Sequence, residues 1–325
     1  MSLSQQLEHS ARYDAEYSSS LSSHLPMALV ALARLGADDA RRDAFAERYA
    51  TRLRPAPQAA RWPAGDPWQA RFGDPGAWPA YRSLFAEWLA HESAQAVLAQ
   101  ALPPLMRGVG AAAFHGPIRA AYAISSGSAR ELADALAYWA CRWFTLGDAP
   151  GAGYESDPAT VLAQLKITKP KRPLIAERMA LVAEQAAFAR VTRTLRIEPA
   201  STLEQLARLA ARLYAASDNF TVLHLITSAH AMRVLLPWID ADVAADALGH
   251  YWLAYAAGHA SSGLGDDGRS TLPRAPLKPW TALVARALSS DDDHLIKLID
   301  SCREQERAYG GAVWREAASR AVASA

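Results

Sequence analysis

What most constrains this chain is the way its helix-forming runs are punctuated. Stretches rich in Ala, Leu, Arg and Glu recur along almost the whole length, separated by Gly, Pro and polar caps, while runs of alternating β-branched residues are few. Such a pattern builds helices and leaves almost nothing for a sheet. The expected fold is therefore all-α, a large multi-helix bundle. At 325 residues the chain exceeds the usual single-core size, but 51% hydrophobic content is ample for a sizeable core. We read 1–325 as one helical domain, with a candidate subdomain boundary in the Gly/Pro-rich segment near 147–158.

From Ser22, SSHLPMALVALARLGA reads as serine caps and then a helix that stops at Gly36, with Pro26 tolerable in the first turn. Further helices are expected at about Ala40–Arg52, Trp78–His91, Ser93–Leu102, Ser128–Phe144, Pro158–Lys166, Leu174–Arg190 and Thr202–Ala216. Pro103 and Pro104 should break the Ser93–Leu102 helix. The segment 54–78 is too rich in Pro, Gly and Trp for regular structure, and either wraps the bundle or lids an apolar ligand pocket. The polar, Gly-rich segment 258–279 is expected to be a mobile loop.

Chemistry concentrates in Asn219–Arg233, NFTVLHLITSAHAMR, which Ser217, Asp218 or Asn219 can cap and Pro237 ends. On a helix His224 and His230 differ by roughly 120° in azimuth. A straight helix thus aims one at a buried site and the other along its edge. His115 lies between Phe114 and Gly116 with Arg119 one turn on, and its plainest reading is a hydrogen-bonded core histidine. Gly108, Gly110 and Ala113 mimic a dinucleotide fingerprint. They follow an Ala/Leu helix and a Pro pair instead of a buried strand, so that reading is rejected.

ADVAADALGHYWLAYAAG echoes ELADALAYWA, and each follows an apolar-His segment. If this is an internal repeat, His115 and His224 occupy related positions on two helix pairs facing one cavity. His250 and His259 are accounted for by packing or by the helix C-terminal dipole. Near the C-terminus, SSDDDHLIKLIDSCREQERAYG starts with serine and aspartate caps and continues as an amphipathic helix, on which His294 and Lys297 share a face. Lys297 lies among Leu295, Ile296 and Leu298. It either extends its amine to solvent or is buried with a lowered pKa, and a neutral amine can take up carbon dioxide as an anionic carbamate.

A formal net charge of +1 gives no field to hold nucleic acid or an anionic membrane. Cys141 and Cys302, the two cysteines, are far apart and form no CxxC, which fits a reducing cytoplasm and excludes a disulfide scaffold or thiolate zinc site. No uninterrupted apolar stretch reads as a membrane span, and no leader pattern opens the chain.

Four segments in this order, SSHLPMALVALARLGA, AAFHGPIRAAYA, NFTVLHLITSAHAMR and DDDHLIKL, each built around a histidine, resemble the questin oxidase family over most of the chain. The resemblance implies an oxygenase acting on anthraquinone-type polyketide rings, including a Baeyer-Villiger-type, NADPH-linked oxidation, without a flavin motif. It further implies a mononuclear non-haem iron held by histidines with a carboxylated lysine as the anionic ligand. His24, His115, His224, His294 and Lys297 match those positions, with His230 as the alternative to His224. No Glu or Asp has the spacing of a two-His-one-carboxylate site, so a carbamate would supply the missing negative charge.

Three function classes follow. The first is an iron-dependent oxygenase of a polycyclic aromatic ketone or quinone, using O2, with Arg119, Arg233, Tyr122 or the Trp62–Trp78 loop orienting substrate. The second is a metal-free helical protein of the same fold that sequesters an apolar ligand or a partner. The third, a zinc hydrolase, is disfavoured because no HExxH is present. Substrate, electron donor and oligomeric state stay open at this level.

Overall fold

The structure, a computed structural model, describes residues 1–18, 20–264 and 272–324, so part of the Gly-rich loop lies outside the described residues. It is all-α. In chain order the helices are α1 Leu3–Ser10, α2 Leu25–Leu35, α3 Asp39–Ala50, α4 Trp78–His91, α5 Ala94–Met106, α6 His115–Ser126, α7 Ala129–Cys141 and α8 Pro158–Ala163. They continue with α9 Ile175–Ala183, α10 Ala186–Thr192, α11 Thr202–Ser217, α12 Phe220–Leu235, α13 Ala241–Ser262, α14 Trp280–Leu288, α15 Asp293–Tyr309 and α16 Val313–Ser324. The one sheet among the described residues pairs β1 Glu16–Tyr17 with β2 Leu21–Ser22.

Helix α12 is the axis of the molecule. It packs against α6, α11, α13 and α15, and every residue from Thr221 to Met232 is buried, so no solvent-facing stripe is left to give an amphipathic pattern. By length and composition Phe220–Trp238 could cross a membrane, contrary to the sequence reading; 72% of it is buried inside the fold, the setting of a core helix. Helix α2 closes the same region by packing on α6 and α15. The pairs α6–α7 and α12–α13 each pack together, and α6 lies on α12, which is the juxtaposition the repeat implies. The correspondence is offset, because His115 opens α6 whereas His224 sits a turn inside α12.

Several expected boundaries moved, each for a physical reason. Helix α5 runs through Pro103 and Pro104 because its buried face, Val97, Leu98, Ala101, Leu102, Leu105 and Met106, keeps its spacing across them. The Pro104 carbonyl accepts from Trp143 Nε1 at 3.1 Å. The expected Leu174–Arg190 helix divides at Glu184 and Gln185. Helix α2 is preceded by His24, not a serine, and no side chain caps it. Segment 147–158 folds back on the bundle, the Tyr154 and Glu155 N–H groups donating to the Thr194 carbonyl at 3.0 and 2.9 Å.

The tryptophan-rich segment wraps α4. Trp62 packs on Tyr81, and Trp68 lies among Phe72, Phe85 and Trp88. Gly108 is a packing residue, since a Cβ there would fall 2.3 Å from the Trp143 ring.

Candidate metal centre

Four histidines from four separate parts of the chain form a closed ring of imidazoles. Their centroids lie 4.6 Å apart for His24–His115, 5.1 Å for His115–His224, 5.6 Å for His224–His294 and 4.6 Å for His294–His24. The ring nitrogens of His24, His115 and His294 come within 4.8 Å of one another. His24, His115 and His224 are buried, while the His294 side chain is 23% exposed at the rim.

Each of these rings has one nitrogen held by an acceptor. His24 Nδ1 donates to Asp293 Oδ1 at 2.6 Å, and His294 Nδ1 reaches the same oxygen at 2.8 Å. His115 Nδ1 donates to the Ala112 carbonyl at 2.5 Å and His224 Nδ1 to the Phe220 carbonyl at 2.9 Å. With Nδ1 protonated throughout, each Nε2 carries the free lone pair. This is the tautomer that metal-binding imidazoles adopt, and the outer acceptors fix their orientation.

Local structure explains the placement. His24 sits where the chain enters α2, its backbone N–H donating to Tyr49 Oη at 2.9 Å. His115 opens α6 after three successive residues in the left-handed region, Ala112, Ala113 and Phe114, at φ 48°, 56° and 70°. Such a turn costs about 1–2 kcal/mol per residue for non-glycine side chains. It returns the Ala112 carbonyl to His115, and buried Phe114 anchors it against Tyr251. On α12, Asn219 caps the helix by accepting from the Thr221 and Val222 N–H groups.

Burial keeps the His24, His115 and His224 imidazoles neutral. Burial lowers the His24 pKa to about 3, assisted by the charge of Lys297, and lowers His115 and His224 well below the usual histidine value. Burial raises the Asp293 carboxyl, but His24 and His294 overcome this and hold it well below the usual carboxylate range. Lys297 is 2% exposed on α15. Burial brings its pKa down to about 8 against the opposing pull of Asp293 and Asp292. Its charge acts against protonation of His24, His115 and His224 alike.

The remaining sequence candidates lie elsewhere. His230, on the same helix as His224, is about 9 Å further along the axis, with Tyr122 and Arg233 as neighbours. Arg119 was expected to orient substrate but is consumed by a buried two-bond pair with Glu131, at 2.6 and 3.0 Å, that ties α6 to α7. Arg233 lies beside His230, and Tyr122 donates to Asp300 Oδ2 at 3.1 Å. None of these, nor the 62–78 segment, lines the cavity at the histidines. That cavity measures about 240 Å³ and is walled by Tyr17, Leu21, Leu174, Ile175 and Phe220 together with the four imidazoles.

Asp293 is the member of this cluster that sequence reasoning missed. It was taken as one of three capping aspartates, although its position directly before His294 was a usable signal. Asp292 does cap α15.

A donor set of four imidazoles with a buried carboxylate behind two of them fits a borderline divalent transition metal. The contact of His24 Nε2 with His115 Nε2 at 2.7 Å fits it further, because two lone pairs face each other there. Two nitrogens bound at right angles to one such metal stand about 3 Å apart.

Among curated proteins no sequence matches the chain. The family model described as questin oxidase-like matches residues 21–302, a span that contains all four histidines, Asp293 and Lys297. The family is one of oxygenases acting on aromatic polyketides. On that match the chain belongs to the questin oxidase-like family.

Proposed function

We propose that this protein is a non-haem iron oxygenase that oxidises a neutral aromatic ketone or quinone in the apolar cavity beside the imidazole ring. The observation that carries the reading is the closed set of four imidazoles, each with Nδ1 committed to an acceptor and Nε2 free. His24, His115, His224 and His294 would hold the metal, with Asp293 orienting two of them. Bound iron would supply the redox chemistry by which molecular oxygen reacts with an aromatic ring.

The chain's own groups define what enters. Apart from the imidazoles, no ionisable side chain but the Tyr17 phenol lines the cavity among the described residues, so the substrate body is uncharged. Tyr17, Ser20 and Ser22 offer hydroxyls for a carbonyl or phenol oxygen, and Leu21, Leu174 and Ile175 exclude water around it. Lys297 would supply the anionic ligand as a carbamate. Its neutral Nζ adds to the carbon of carbon dioxide and gives one proton to solvent. NADPH is the electron donor this reading adopts, following the resemblance.

The test is elemental analysis of the purified protein, followed by substrate turnover with O2 uptake. Iron near one atom per chain, with oxygen consumption dependent on an aromatic ketone or quinone, is the expected result. A metal-free chain that binds the aromatic without consuming oxygen would establish the binding-protein reading instead.

A further inference from the structure

Phe220 is the first residue of α12 and is 55% exposed although it lies against the buried cluster. Its ring stands edge-on to His224 at 4.9 Å and tilted against His294 at 4.8 Å. Together with His294 it lines two cavities at once. On one side is the apolar cavity of about 240 Å³ described above; on the other is a second of about 210 Å³, with Tyr214, Asp218, Asp292 and Ser324 in its lining. Pockets that hold drug-sized ligands span about 300–1,000 Å³. Neither cavity reaches that range alone, and the two joined do.

We propose that Phe220 is the specificity-determining side chain of this site, a partition that confines the ligand to a small aromatic body of one or two rings. Displacing it would join the apolar cavity to the polar one and admit a larger, hydroxylated ring system, whose hydroxyl donors would meet the Asp218 and Asp292 carboxylates. This rests on reading the imidazole-lined cavity as an aromatic substrate site. His294 lines both cavities as well, so Phe220 is the shared wall residue that can be trimmed without removing a proposed ligand. The Phe220 carbonyl, which holds His224 Nδ1, survives any substitution, so the partition can be removed without removing that bond.

The experiment titrates the metal-loaded full chain and its Phe220→Ala and Phe220→Trp variants with 1-naphthol and with 1-hydroxyanthraquinone, following tryptophan fluorescence. Metal content is measured on each sample. The expected result is that wild type prefers the two-ring compound and that Phe220→Ala gains at least about tenfold for the three-ring compound relative to it, about 1.4 kcal/mol. Phe220→Trp shifts the ratio the other way. Binding of both compounds with the same ratio in all three proteins overturns the partition and leaves the aromatic-site reading intact. Binding of neither compound to any of the three removes that reading, and the partition with it.

Discussion

His24 Nε2 and His115 Nε2 face each other at 2.7 Å, each ring having committed its Nδ1 proton to an oxygen on its far side. Two imidazole lone pairs repel at that distance unless a proton or a cation lies between them. Burial opposes the proton, since it lowers both pKa values. The metal proposed above would fill that gap, and the two residues, 91 positions apart, are brought together by α2 packing on α6.

Replacing His224 with alanine should abolish metal retention while leaving the helix content unchanged, because Asn219 still caps α12 and the remaining buried residues still pack it. His230→Ala should keep its metal, since that ring contacts Tyr122 and Arg233 and stands outside the imidazole ring. Elemental analysis beside far-ultraviolet circular dichroism reads both. Equal metal loss in the two variants would show that His230 is a ligand.

Asp293→Asn keeps the shape of the side chain and removes the charge that both His24 and His294 address. Loss of such an outer partner costs roughly 10–100-fold in metal affinity. Competition with a chelator measures it. Asp292→Asn at the adjacent position should leave metal affinity unchanged and cost helix stability at most, since Asp292 caps α15 through the His294 and Leu295 N–H groups.

That contrast also shows what could be read from the sequence. The three aspartates before His294 look alike in a string, yet Asp291 pairs with Arg41 and Arg48 at the surface, Asp292 caps the helix and Asp293 turns inward to the imidazoles. Only the middle role follows from local rules. The four histidines were legible because the segments around them resemble one family in order, and His115 and His224 also interrupt apolar runs. The Arg119–Glu131 pair was not legible, because Glu131 lies on the next helix and nothing in the spacing announces it. The left-handed turn before His115 was invisible for a simpler reason: it contains no glycine.

Ala113 tests that turn. Glycine at φ 56° relieves about 1–2 kcal/mol of strain and returns about 0.4–1 kcal/mol in unfolded-state entropy, so Ala113→Gly should stabilise by about 0.5–1 kcal/mol. Ala113→Val, a β-branched residue in the same region, should destabilise by more than this and loosen His115. Denaturant melts of both variants decide it. A less stable glycine variant would mean that the turn carries no such strain.

Acid should unfold the protein through its buried neutral histidines. Burial lowers the His259 pKa to about 4, against an ordinary value near 6.5, so between those limits the unfolded chain binds the extra proton. Stability is complete above about pH 6.5 and falls as pH drops towards 4, by about 3 kcal/mol for this one group. In His259→Leu the pH 7 to pH 4 difference in urea midpoint should shrink, whatever the variant's absolute stability. An unchanged difference would place the acid sensitivity elsewhere.

Lys297 gives the most specific expectation. An ammonium near the proposed metal would be repelled by a divalent ion, yet Lys297 is 2% exposed and lies one turn after His294 on the same helix. The lowered pKa of about 8 resolves half of the conflict, since it makes a neutral, nucleophilic amine accessible near neutral pH. Reaction with carbon dioxide resolves the other half by replacing the cation with an anion, and metal binding then stabilises the adduct against loss. Bicarbonate during metal loading should therefore raise iron uptake in wild type and have no effect on Lys297→Met, which should bind iron poorly. Lys297→Glu should recover part of that binding without bicarbonate, because it restores an anionic oxygen on a shorter arm. Acidification of the loaded wild type should release carbon dioxide and metal together. Full iron binding by Lys297→Met, or iron uptake by wild type that ignores bicarbonate in degassed buffer, would exclude the carbamate and leave Asp293 as the anion of the site.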